Sequence, residues 1–351
     1  MTTESLKQFL RNHPRIDLIQ YILRKKISKS SECRKILELE KNPLFIQYRH
    51  YGSLNKDKHI YYIKIGLAYK AMGYCSLLRI TLLHLAYAER LGLQPVIEWT
   101  KDLLYTENTI KNGTENSFEY FFQNTSNISI ADVLESDLVV TSKIYDINLM
   151  VDKLSYKIDE NEIRILSNMI KKYLIFNEFG KHEIYAPCRE LTQRGSFLGI
   201  HVRGTDFKKG YSRHPVMVTV DEYLEEAKNI LEKKKFDFVF LATDEQEVVK
   251  KFEAVFKEKL FYYKSFRSSD GTPLHYNNGG ERKDNKYLLG MEILKDVFTL
   301  GNCDGLLAGF SNVSIMARAI KESLNKPYQY EKIIDKGINY NLKECSLFVK
   351  Q

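Results

Sequence analysis

Apolar runs and polar turns alternate along most of the chain. Residues 1–40 scatter Leu and Ile among charges, as in Phe9-Leu10 and Leu18-Ile19, which predicts amphipathic helices. Ile60-Tyr61-Tyr62-Ile63-Lys64-Ile65 predicts a short strand. Gly73-Tyr74-Cys75 then leads into a mostly apolar run from Leu77 to Leu91. Its apolar residues lie nearly all round a helix, so that helix should be buried on several sides, with Gly92 as its stop. Pro95-Val96-Ile97-Glu98-Trp99 reads as a buried strand, completing an α/β unit. Asn and Ser enrichment over 107–128 predicts a long loop, and helical spacing returns around Ile163-Arg164-Ile165-Leu166, Met169 and Ile170.

The second half is more regular. Phe197–Val202 predicts a strand ending in a polar turn. A helix follows to about Lys234, with Thr219 or Asp221 as its cap. Phe236–Ala242 predicts a second buried strand, and Thr243-Asp244-Glu245 opens a helix carrying Val248, Val249 and Phe252. Leu260–Tyr263 and Gly305–Gly309 predict two more strands. Tyr287–Leu300 predicts a helix, and Ser311 caps a last one bearing Ile315, Met316, Ala319 and Ile320. Strands alternating with helices imply a parallel, doubly wound sheet, whose ligands sit beyond the carboxyl ends of the strands. The polar clusters at 201–206, 243–245 and 311–314 all fall at such ends and should converge on one crevice.

A chain of 351 residues fits two domains. The 44% hydrophobic and 28% charged fractions are those of a folded globular protein. The net charge of +8, from 53 basic and 45 acidic residues, suits either anionic partners or a lysine-rich solvated surface. Its basic runs are short, and nucleic acid is not expected as a partner. Five separated cysteines without a CxxC pair point to reduced thiols rather than a disulfide framework or structural zinc. No leader-like or bilayer-spanning run is evident, so a cytoplasmic protein is expected.

Arg203 is the leading candidate for chemistry. A guanidinium at a strand end can grip phosphate oxygens two at a time, or simply form a surface ion pair. Ser311 and Asn312 begin a helix, which is either an ordinary cap or an anion site. Asp296 can accept two hydrogen bonds from a guanine edge, or lie solvated on its helix. Asp244 is a first-turn carboxylate. His201 is equally readable as a core histidine and as a ligand contact. No phosphate-binding glycine loop, metal-ligand cluster or catalytic triad stands out.

Taken in order, Gly-x-Cys with its buried helix and Pro-Val-Ile-Glu-Trp, then HVRGTD, FLATDE and ILKDVFTLGNCDGLLAGFSNVS, resemble the fucosyltransferase superfamily. The closest likeness is to the core α-1,6 and bacterial nodulation enzymes, over roughly 60–100 and 195–325. The resemblance implies a fold of the GT-B type, two Rossmann-like domains facing a cleft: an acceptor-side domain over 1–185 and a GDP-sugar-binding domain over 186–351. It implies inverting transfer of fucose from GDP-fucose to a hydroxyl of a glycan, lipid-linked or protein-linked acceptor, without a metal. Arg203 is similar to the family's diphosphate-binding arginine, His201 to the motif histidine near the guanosine, and Asp206 to the motif's terminal aspartate. Asp206 is the candidate base. Asp296 resembles the guanine-binding aspartate. Ser311 and Asn312 match a Ser-Ser pair that contacts phosphate, with Asn312 replacing the second serine. Tyr223 and Asp244 resemble a tyrosine and an acidic residue of the motif set. Two positions depart from the pattern: Gly204 replaces a second arginine, and Tyr211 falls near the family's candidate catalytic glutamate. The implied bacterial enzyme is cytoplasmic, peripheral at an anionic inner membrane face. A different nucleotide-sugar donor, or a nucleotide- or glycan-binding protein without the base, are the competing readings.

Overall fold

The structure, a computed structural model, describes residues 46–142, 156, 160–204, 214–269 and 282–339. The helices expected over 1–40, and Asp206 and Tyr211, lie outside the described residues.

Two sheets organise the chain, and both rest on parallel strands joined by helices, as the α/β pattern requires. The first contains β1 (Ile46–Arg49), β2 (Ile60–Ile65), β3 (Gln94–Trp99) and β4 (Val139–Ser142), in the order β1-β4-β2-β3. β2 pairs in parallel with β3 and β4, while β1 adds an antiparallel edge. Between β2 and β3 runs α1 (Tyr74–Leu91), buried along nearly its whole length. Gly92 ends it in the left-handed region, at φ 67°, where its N–H reaches the Ala88 and Glu89 carbonyls. α2 (Ile130–Leu134) starts at a Ser129 capping box. α3 (Glu160–Tyr173) follows β4.

The second sheet has five parallel strands. A π turn over Lys181–Tyr185 leads into α4 (Ala186–Thr192). Then come β5 (Phe197–Val202), α5 (Val220–Lys233), β6 (Phe238–Thr243), α6 (Gln246–Phe256), β7 (Leu260–Phe261), α7 (Asn285–Asn302), β8 (Gly305–Gly309), α8 (Asn312–Ser323) and β9 (Tyr330–Ile334). Their order is β7-β6-β5-β8-β9. Every residue of β5 is buried, which is why it reads as a continuous apolar run instead of an alternating one. The strand order reverses at β5, opening a crevice at the carboxyl ends of β5 and β8.

Two expectations need adjustment. The third strand of this half stops at Phe261, because the chain after it bends across the end of β6, where Ser268 N–H donates to the Asp244 carbonyl at 2.9 Å. The second begins at Phe238, because Asp237 instead accepts the Ser196 N–H at 2.8 Å. The stretch expected as a long loop holds no long element, yet Phe118, Tyr120, Phe121 and Phe122 are all buried. It packs on the start of α7: the Phe121 and Tyr287 rings lie 5.0 Å apart, and Glu107 accepts the Tyr287 N–H at 3.0 Å.

One apolar cluster runs through both sheets, including Ile63, Leu82, Leu166, Phe197, Leu294 and Met316. α3 is the seam, packed against both α1 and α8. Among the described residues no helix is long and apolar enough to cross a membrane.

Candidate functional site

The carboxyl ends of β5, β6 and β8 lie side by side, since β5 pairs with both neighbours. From β5 comes His201, 5% exposed, whose Nδ1 is 3.3 Å from the Ser311 Oγ. Ser311 caps α8. Its Oγ accepts the Ser314 N–H at 3.0 Å, and the Ser314 Oγ accepts the Ser311 N–H at 3.0 Å. The cap is therefore closed on itself. The Asn312 and Val313 N–H groups carry no hydrogen bond to another described residue, as the first N–H groups of a helix do not. They leave a partial positive charge at the mouth of the crevice. Tyr223, from α5, is buried, with its hydroxyl against Gly309 at the end of β8, where a Cβ would fall 2.6 Å from it.

Arg203 follows β5. Its Nη1 is 3.1 Å from the Asp244 Oδ2, and the Gly204 N–H donates to the other oxygen of that carboxylate at 3.1 Å. One carboxylate thus fixes both the guanidinium and the turn that carries it. Asp244 is better buried than Arg203, 11% against 30% by side chain. Gly204 has a steric reason. A Cβ there would fall 2.4 Å from the Cδ of Glu245, itself 4% exposed. The space beside Gly204 is filled by a buried carboxylate, with no room for a side chain.

Asp296, on α7, is not the solvated position that spacing alone allowed. Among the described residues its Oδ1 is sealed from solvent with no hydrogen-bond partner. Burial raises its carboxyl to about 7, against which the nearby Arg267 guanidinium and Lys295 pull down while Glu292 adds to the rise. Arg267 donates to the carbonyls of Tyr263 at 2.7 Å and Thr243 at 3.2 Å, which pins the segment after β7 beside the end of β6. The Ser265 Oγ in that segment is also buried without a partner among the described residues. Cys75, at the start of α1, ties these groups together. Burial pushes its thiol up to about 12, and it feels both the Arg203 cation and the Asp296 carboxylate. The Gly-x-Cys turn of the first sheet therefore borders the same region.

Sequence reasoning overlooked the buried ion pair of Arg79 and Glu162. Arg79, 2% exposed in α1, donates from Nη2 to the Glu162 Oε2 at 2.7 Å and from Nε to its Oε1. Its Nη1 reaches the Asn312 Oδ1 at 3.1 Å. The signal was present: an arginine inside an otherwise apolar helical run has to be paired. Among the described residues no three His, Cys, Asp or Glu side chains gather as a metal-binding group.

The structure thus brings His201, Arg203, Asp244, Ser311 and Asn312 to adjoining strand ends, with Asp296 on the neighbouring helix. No family model matches the sequence, and no curated protein matches it. Among solved structures the chain is similar to NodZ α-1,6-fucosyltransferase co-crystallised with GDP, at 16% identity and a TM-score of 0.43, over 75% of this chain and 92% of that one. It is similar to fucosyltransferase NodZ from Bradyrhizobium, at 15% identity and a TM-score of 0.41, over 75% and 92%. It is also similar to POFUT1 in complex with GDP, at 12% identity and a TM-score of 0.41, over 79% and 98%.

Proposed function

We propose that the protein is an inverting glycosyltransferase that moves fucose from GDP-fucose to a hydroxyl of a glycan or lipid-linked acceptor. The observation that carries the reading is a pair of anion-binding groups at adjoining strand ends: Arg203, held by Asp244 after β5, and the open N–H groups that begin α8 after β8. A diphosphate laid across the ends of β5 and β8 meets both. As the bond from the sugar to the diphosphate breaks, negative charge grows on the leaving phosphate, and the guanidinium and helix end stabilise it. These groups perform, through hydrogen bonds and a fixed cation, the task a metal ion performs elsewhere.

The base side of the crevice supports guanine. A carboxylate accepts both N1–H and the exocyclic amine of that base, and the Oδ1 of Asp296, without a partner among the described residues, suits this. The acceptor hydroxyl then attacks from the face opposite the diphosphate and gives its proton to a carboxylate. Asp206, three residues beyond Arg203, is our candidate for that role. The net charge of +8 suits work at an anionic membrane face.

Thermal shift with GDP, GDP-fucose, GDP-mannose and UDP tests the reading. A ligand at about 100 times its dissociation constant stabilises by roughly 2.7 kcal/mol. GDP and GDP-fucose should raise the melting temperature, and UDP should not; no shift with any guanine nucleotide sinks the proposal. Arg203→Ala should abolish transfer with the fold intact. Activity within about tenfold of wild type, or 1.4 kcal/mol of barrier, would move the clamp elsewhere.

A further inference from the structure

We infer that Arg79 is a positioning residue for the donor site: it locks the Asn312 side chain so that its NH2 group, not its oxygen, faces the diphosphate. The inference rests on the GDP-sugar reading above. Asn312 is the first residue of α8, beside the cap Ser311. A carboxamide there is ambiguous by itself. One of its ends donates to a phosphate and the other repels it, and half a turn of the side chain exchanges them.

Arg79 removes the ambiguity. A guanidinium has five N–H donors and no acceptor. Only the carboxamide oxygen can bond to it, and the Asn312 Oδ1 does so at 3.1 Å. The opposite end, Nδ2, is then fixed as a donor. Arg79 is itself immobile. It is 2% exposed, and Glu162, 3% exposed, engages its Nε and Nη2, leaving Nη1 for Asn312. The ion pair compensates both buried charges, so the guanidinium has no other place to go. The relay joins three elements from distant parts of the chain: α1, α3 and the start of α8. A serine hydroxyl at this position would rotate to donate unaided, whereas an asparagine needs an anchor.

The test compares guanosine with GDP by calorimetry on the full chain. Guanosine has the base and sugar but no phosphate. Arg79→Lys keeps a cation for Glu162 but loses the fork that reaches Asn312. It should weaken GDP about 10-fold to 100-fold, the range for one hydrogen bond to a charged group, and leave guanosine unchanged. In an Asn312→Ala background the same change should have no further effect on GDP. Asn312→Asp guards against a folding defect: it keeps the bond to Arg79 and suits a helix start, yet it turns an oxygen to the phosphate, so it should lose GDP while its melting temperature holds. Equal weakening of GDP and guanosine by Arg79→Lys, additive losses in the double variant, or undiminished GDP binding by Asn312→Asp would each overturn the relay. Wild-type protein that binds neither ligand would instead bring down the donor reading, and the relay with it.

Discussion

The proposed contact of guanine with the buried carboxyl of Asp296 predicts a pH-dependent affinity with a defined sign. In the free protein burial raises this group from the usual 3.8 to about 7. The groups around it that titrate or carry charge are Arg267, Glu292, Lys295, Tyr263 and Cys75. Guanine offers only donors at N1 and the exocyclic amine, so it needs the ionised form. Below pH 7 the site is mostly protonated, and binding has to expel the proton. Guanosine affinity should therefore rise about tenfold from pH 6 to pH 8 and then level off, because each decade below the pKa costs about 1.4 kcal/mol. Guanosine is the right probe, since a terminal phosphate titrates near pH 6 and would blur the profile. Asp296→Asn removes the titration and supplies an amine where an acceptor is wanted, so its guanosine affinity should be low and flat with pH. Stability moves the other way. A carboxyl whose folded value lies above its unfolded value stabilises the fold when protonated, and that contribution fades as pH rises from about 4 to 7. The ionised group then costs the free protein at most about 4 kcal/mol at pH 8. Asp296→Asn should accordingly melt higher than wild type at pH 8 and no higher at pH 4. Guanosine binding that is flat from pH 6 to 8 in wild type, or a variant that binds as tightly, would refute both the burial argument and the assignment of this residue to the base.

Two further perturbations probe the clamp. Asp244→Asn keeps the shape but loses the charge that fixes Arg203 and the Gly204 N–H; a charge-assisted bond is worth about 2 kcal/mol, so GDP affinity should fall roughly 30-fold in calorimetry, with guanosine little changed. Gly204→Ala forces a methyl group against the buried Glu245 side chain and should destabilise by about 1–3 kcal/mol in urea unfolding; adding Glu245→Ala should restore the room and much of that loss.

Two strands of the second sheet, β5 and β8, were legible because they are fully buried. Phe197–Val202 and Gly305–Gly309 read as unbroken apolar runs bounded by polar turns, and both stand where that pattern puts them. Helices with a cap in the sequence, Thr219 and Ser311, were equally clear. The short strands β1, β4 and β9 were not, since four or five residues carry too little periodicity to stand out from loop. The site followed the same division. Residues at strand ends announce themselves by position, whereas partnership does not: the bond from Arg79 to Asn312 spans 233 residues. Nothing in the chain near Asp244 says that its carboxylate holds Arg203. Nor does Gly204 reveal that a carboxylate 41 positions on has taken its side-chain space; only close packing in three dimensions does.

The apolar cluster that runs unbroken through α1, α3 and α8 ties the two sheets to a single fate. To swing one sheet away from the other, the molecule would have to wet that shared interior, at about 25 cal/mol for each Å² of apolar surface, and strip Arg79 from its partners. Movement into and out of the crevice is thereby assigned to loops at its rim, not to a hinge between halves. The same continuity makes damage in α3 a threat to the start of α8, which it packs against, so the two halves should melt together.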